Sequence, residues 1–191
     1  SGTVLMRAAN YAFGGADRTI TTTGVLTIEP DADENSFASS FDNQYLNPVN
    51  VTGLTLGKSS NASAITLSRA ISLSGPVSIY GGSIDVNANI TANSGNILLD
   101  ADTGSTLNQS STGILLDDVI TIETVTSGNL TLIGRSGDTG SGFDGIDASS
   151  ANTTTLRSAG NLTLQGYSYA ASGSGRGVDL NNDVIAASGT V

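Results

Sequence analysis

The chain has no cysteine and no histidine among its 191 residues. Disulfides, thiol nucleophiles, the usual zinc ligand sets and histidine general bases are thereby excluded, and with them most hydrolase chemistries. Basic residues are few. Arg7, Arg18, Lys58, Arg69, Arg135, Arg157 and Arg176 stand scattered against 17 acidic residues, for a formal net charge of −10. Nucleic acid, which is held by clustered Lys and Arg, is not an expected partner. No run of about 18 apolar residues occurs, so membrane insertion is not expected either. The opening SGTVLMRAAN lacks the charged and apolar regions of a signal peptide, which places any export signal outside this segment. Proline is limited to 3 residues and aromatics to 5%. No apolar pattern of helical period runs for a useful length, and β-branched residues and glycine are everywhere, so an α-helical fold is excluded.

What the chain has is a phrase written many times. GNLTLIGRSG starts at Gly128 and GNLTLQGYSY at Gly160, and variants occur as GNILL at Gly95, GPVSI at Gly75, TGLTL at Thr52, GVLTI at Gly24 and GTVLM at Gly2. With a last start in SGTV near Gly189, the intervals are 22, 28, 23, 20, 33, 32 and 29 residues. A period of this length marks a repeat architecture. Within each period we find three short runs of alternating apolar and polar residues, the signature of strands. In the most compact one, Val77, Ile79, Ile84, Val86, Ile90 and Ala92 fall on one side, with Ser78, Asp85 and Thr91 on the other. The turn before it places Leu54, Leu56, Ile65, Leu67, Ile71 and Leu73 inward.

The longer turns keep the three strands and insert roughly ten residues after the first, as repeat proteins do on one face. The insertions are Asp102 to Thr112, Arg135 to Asp144 and Tyr167 to Arg176. After them the second strand resumes at Gly113, Gly145 and Gly177, each 32 residues apart. A coil this short cannot bury its inner face alone and must stack on copies of itself. The expected fold is a parallel β-helix of three short strands per turn, about seven turns in a single segment spanning 1–191. At about 4.8 Å per rung the stack would be roughly 34 Å long. A β-sandwich also shows short strands and turn signals, but its strands need share no phrase at fixed spacing.

Few residues suggest chemistry. Asp138, Asp144 and Asp147 in DTGSGFDGID partly match a calcium-binding nonapeptide and are a candidate calcium site. The match occurs once, and Arg176 takes the place of Asp144 one turn later. The loop PDADENS, from Pro30 to Ser36, is a second acidic candidate. The second strands put Leu115, Asp147 and Asp179 in one outward column, where adjacent carboxylates are either solvated or bridged by a cation or ligand. Asp117 and Asp118 are adjacent, so alternation would send them to opposite faces, and no lysine or arginine recurs beside them. Catalysis on polysaccharide is not expected. Tyr167 and Tyr169 are candidates to stack on a sugar, or else to cover neighbouring strands. Threonine is dense in TITTTG and NTTTLRS without the T-x-T columns an ice-binding face needs. Asn96, Asn129 and Asn161 share a column and suggest an amide ladder. Phe37, Phe41 and Tyr45, at spacings of four, fit a short amphipathic helix or an extended loop equally well.

GLTLGK, GPVSIYGG and VNANIT, with the later GNLTLQGYSYAASGSGRGVDL, resemble the large repetitive exported bacterial surface proteins of the filamentous haemagglutinin type. That resemblance implies a right-handed parallel β-helix, secretion from a bacterium, and service as an adhesin or extracellular fibre, and it transfers no catalytic residue. The amino-terminal secretion domain of such proteins is not visible in this chain. SGTV at Ser1 recurs at Ser188, so the segment reads as one period of a longer array or as a coincidence of small residues. The expected partners are copies of itself or adjacent repeats end to end, and glycans; a polysaccharide-binding or polysaccharide-cleaving β-helix is the alternative.

Overall fold

The computed structural model describes residues 2–12, 15–101, 111–148, 153–169, 172–181 and 183–191. The first turn of chain supplies β1 (Val4–Arg7) and β2 (Arg18–Thr21), and the second β3 (Val25–Glu29), β4 (Phe41–Asp42) and β5 (Leu46–Val49). The third gives β6 (Gly53–Leu56), β7 (Ile65–Leu67) and β8 (Ile71–Leu73), the fourth β9 (Val77–Gly81), β10 (Ile84–Val86) and β11 (Ile90–Ser94). The fifth gives β12 (Ile97–Ala101), β13 (Ile114–Leu116) and β14 (Thr121–Ser127), the sixth β15 (Leu130–Arg135), β16 (Ile146–Ala148) and β17 (Thr155–Ser158). The seventh closes with β18 (Leu162–Tyr167), β19 (Val178–Leu180) and β20 (Val184–Ala187).

These strands pair only with the turns above and below. The first strands form a seven-stranded sheet, β1-β3-β6-β9-β12-β15-β18, the second strands a six-stranded sheet from β4 to β19, and β8, β11, β14, β17 and β20 a five-stranded one. The chain is a parallel β-helix, with no helix among the described residues. Register follows the repeated phrase. Leu26, Leu54, Val77, Ile97, Leu130 and Leu162 lie one above the next, so the intervals between repeats are the intervals between rungs.

Alternation fills the interior. Val77, Ile79, Val86, Ile90 and Ala92 are wholly buried, and so are Ile97, Leu99, Ile114, Leu116, Ile122, Leu130 and Leu132 in the rungs above. Each large side chain so buried contributes about 1.5 to 3 kcal/mol. In the sixth and seventh turns the corner between the first and second sheets has no room for a side chain. A Cβ on Gly134 would stand 2.0 Å from the carbonyl oxygen of Gly145, and one on Gly166 1.8 Å from that of Gly177. This close approach explains why the second glycine of the phrase recurs with the first.

The asparagine column is present, with a different bond from an amide-to-amide ladder. The backbone N–H of Asn129 donates to Asn96 Oδ1, that of Asn161 to Asn129 Oδ1, and that of Thr190 to Asn161 Oδ1, each at 2.9 Å. The side chain of one rung thus satisfies the backbone of the next, and Gly189 to Val191 begin an eighth turn in register.

Two features depart from an ideal stack. The third face is split, because β5 pairs with β2 and not with β8. Pro48 in β5 has no N–H to offer, and Asn50 just beyond it turns through φ 59°. Over residues 36–50 the helical alternative is overturned, since β4 and β5 occupy that stretch. Phe37 and Phe41 are each only 4% exposed and stack on one another at 5.5 Å. Tyr11 meets both edge-on, at 5.7 and 5.9 Å. The bend between the two strands is fixed by Asn43, whose Nδ2 donates to the Arg69 carbonyl and whose Oδ1 accepts the Arg69 N–H, both at 2.9 Å. These bonds favour an extended, sharply turned path over a helix.

Candidate functional site: the loop-bearing corner

The insertions leave the stack at one corner, between first and second strands. They continue its register there. Ser136 N–H donates to the Tyr167 carbonyl, Gly137 N–H to Ser111, and Gly145 N–H to Arg176, each at 2.9 Å. Ser141 and Ser172 form a parallel bridge between successive insertions. Of the expected strip from Asp102 to Thr112, residues 102–110 lie outside the described residues.

The acidic candidate is rearranged relative to the expectation. Asp144, Asp147 and Asp179 offer carboxylate oxygens that all lie within 4.8 Å of one another. Asp138 is not in this group; one of its oxygens is buried without a hydrogen-bond partner. Asp147 and Asp179 stand on adjacent rungs in one column, as the 32-residue spacing requires. Asp144 is buried. Burial pushes its carboxyl above the usual range, the Arg176 backbone N–H pulls it back, and Asp147 and Asp179 add to the rise.

Arg176 supplies the countercharge. Its backbone N–H donates to Asp144 Oδ1 and its guanidinium to Asp179 Oδ2. The donor set suits a hard cation, since carboxylate oxygens are what calcium takes, yet two of the three carboxylates are already engaged by arginine. The sequence carried the signal for this, because the period sets Arg176 directly over Asp144. A similar substitution occupies the PDADENS loop, where Lys58 Nζ donates to the carbonyls of Asp31, at 3.1 Å, and Glu34.

The tyrosine candidates form a shelf. Tyr167 and Tyr169 stack on one another with centroids 6.4 Å apart and planes 16° from parallel, and they remain 44% and 42% exposed. Tyr167 lies beside Arg135 of the rung below, whose guanidinium carbon stands 5.5 Å from the ring centroid. Arg135 also reaches Asp100 at 3.3 Å. Ser136 Oγ accepts the Tyr169 N–H at 2.9 Å and Ser168 Oγ donates to the Phe143 carbonyl at 2.8 Å, so both rings rise from a fixed backbone. An exposed aromatic pair flanked by a cation has the chemistry to stack on a sugar ring.

Other residues singled out in the sequence carry less. Asp117 and Asp118 are both exposed, a correction to their expected opposite facing: they follow the end of β13, where strand alternation no longer applies. Outward threonines line one column through Thr27, Thr55, Thr131 and Thr163, but Ser78 and Leu98 interrupt it. Asn61, which opens an N-x-S sequence, is fully buried. Its side chain accepts from the Phe37 and Ser63 N–H groups and donates to the Ser63 and Tyr80 carbonyls. Nothing in its local sequence distinguishes it from the exposed asparagines.

Compared with family models, curated proteins and solved structures, the chain matches none.

Proposed function

We propose that this chain is a structural segment of an extracellular bacterial adhesin or cell-surface fibre, a stiff rod that provides reach and contact rather than catalysis. The observation that carries the reading is the unbroken register of the first sheet through seven rungs, a fold that extends by adding rungs. Each end rung carries apolar surface for another rung to cover. Leu164, Val178 and Ile185 are only partly buried, while Leu132, Ile146 and Leu156 beneath them are fully buried. Copies or adjacent repeats stacked end to end would cover them and pair the open strand edges. The net charge of −10 keeps such rods apart and soluble. Low-speed sedimentation and electron imaging of the secreted fraction test the reading: elongated rods support it, and a soluble cytoplasmic protein removes it.

The Tyr167–Tyr169 shelf favours a second, lectin-like reading in which the loop corner binds glycans. Titration against neutral and acidic polysaccharides tests it. Saturable binding lost in Tyr167→Ala supports it, and no binding to either class rejects it. Calcium at the Asp144, Asp147 and Asp179 carboxylates is a further reading of that corner, and a melting transition unmoved by chelator rejects it.

A further inference from the structure

On the second sheet lies a pocket of about 300 Å³, lined by Ile84, Asp85, Ser111, Thr112, Leu115 and Phe143 among others. Its walls combine apolar side chains, hydroxyls and one carboxylate, a composition typical of small-ligand sites. Asp85 is poorly served by its own chain. One of its oxygens is buried with no hydrogen-bond partner, and the other has Asn87 Nδ2 at 3.2 Å. Its in-register neighbours are Thr66 below and Leu115 above. A buried polar atom left without a partner requires an explanation.

No cation among the described residues answers it. Arg7, Arg69, Arg135, Arg157 and Arg176 pair with Glu29, Asp17, Asp100, Glu123 and Asp179. Lys58 is committed to the carbonyls of Asp31 and Glu34, and Arg18 stands on β2, in another sheet. The charges that act on Asp85 are those of Asp117 and Asp42, both negative. The contrast with Asp179, served by Arg176 in the same column, is direct.

We propose that this pocket binds a small organic ammonium ion, with its N–H donors at the Asp85 carboxylate and its apolar body between Leu115 and Phe143. The carboxylate supplies charge and acceptors, the Phe143 ring attracts a cation, and the leucine and isoleucine accept the stem. The inference is independent of the fibre reading.

The probe is n-butylammonium chloride, added to the isotopically labelled chain at constant ionic strength and followed by amide NMR shifts, with n-butanol as the uncharged isostere. Saturable shifts at Ile84, Asp85, Leu115 and Phe143 are expected, with affinity for the ammonium about tenfold above the alcohol, as one charge-assisted hydrogen bond gives. Asp85→Asn is expected to level the two. Equal affinity in the wild-type chain, or an ammonium preference that survives Asp85→Asn, overturns the proposal. A measurement free of mutation is the Asp85 carboxyl carbon titration: bound ammonium favours the carboxylate and lowers its pKa, and an unchanged titration also overturns it.

Discussion

Replacing Asn61 by leucine removes a side chain that ties three rungs together. Asn61 lies in the third turn and accepts the N–H of Phe37 in the second, at 3.2 Å, while donating to the carbonyl of Tyr80 in the fourth, at 2.9 Å. It also holds its own loop through the Ser63 N–H and carbonyl, at 3.2 and 3.3 Å. Leucine has the same branching and number of side-chain heavy atoms and can answer none of them. Four groups lose this partner; the Ser63 carbonyl keeps the Gly82 N–H, and the other three, the N–H of Phe37, the N–H of Ser63 and the C=O of Tyr80, are left unanswered by the new side chain, at about 1 to 3 kcal/mol each. Burial of the leucine returns about 2 kcal/mol, for a net loss of about 4 kcal/mol. Urea unfolding measures it as a lower midpoint with an unchanged slope, since the surface exposed on unfolding hardly changes. A loss below about 1 kcal/mol would refute the reasoning, because it would mean that the freed groups find water or other partners.

Gly134→Ala forces a Cβ against the Gly145 carbonyl. It is expected to cost about 3 kcal/mol, read by thermal unfolding, whereas a melting temperature equal to that of the wild type would contradict the tight corner. Asn129→Ala removes one exposed acceptor for the Asn161 N–H, and a loss of about 1 kcal/mol is expected by the same method. Asp144 titrates above the ordinary 3.8 in the folded chain. Between that ordinary value and the raised one the folded state binds more protons, so this group costs stability as pH rises through the window. Asp144→Asn should therefore gain in melting temperature relative to wild type on going from about pH 4 to pH 7, and a gain that is the same at both pH values would contradict the direction. If Arg176 serves as countercharge, Arg176→Ala should lower the melting temperature at neutral pH and make it responsive to added calcium; a variant as stable and as unresponsive as wild type would contradict that role.

The rungs were legible because stacking forces equivalent residues into register, so a repeated phrase is a direct image of the fold. Leu130 sits over Ile97 because both follow a Gly-Asn pair. The second-strand period likewise reveals that Asp147 meets Asp179 and that Arg176 follows Asp144. Positions outside the repeat were not legible. Phe37, Phe41 and Tyr45 have a helix-like spacing, yet the path is set by Asn43 bonding to Arg69 a full turn away, a partner local sequence does not announce. Asn61 looked like one more polar loop residue, and Asp138 like a ligand of its neighbours, because loop geometry depends on contacts with other turns. The pocket at Asp85 joins a strand of the fourth turn to Leu115 in the fifth and Phe143 in the sixth, so only the assembled stack brings it together.

Electron microscopy of the producing cells, with gold-labelled antibody against this chain, tests the structural reading most directly. Gold distributed along rods that project from the cell surface, with a rung spacing of about 4.8 Å in averaged images, is the expected result. Gold confined to the cell interior, or found on isolated short particles, would contradict it.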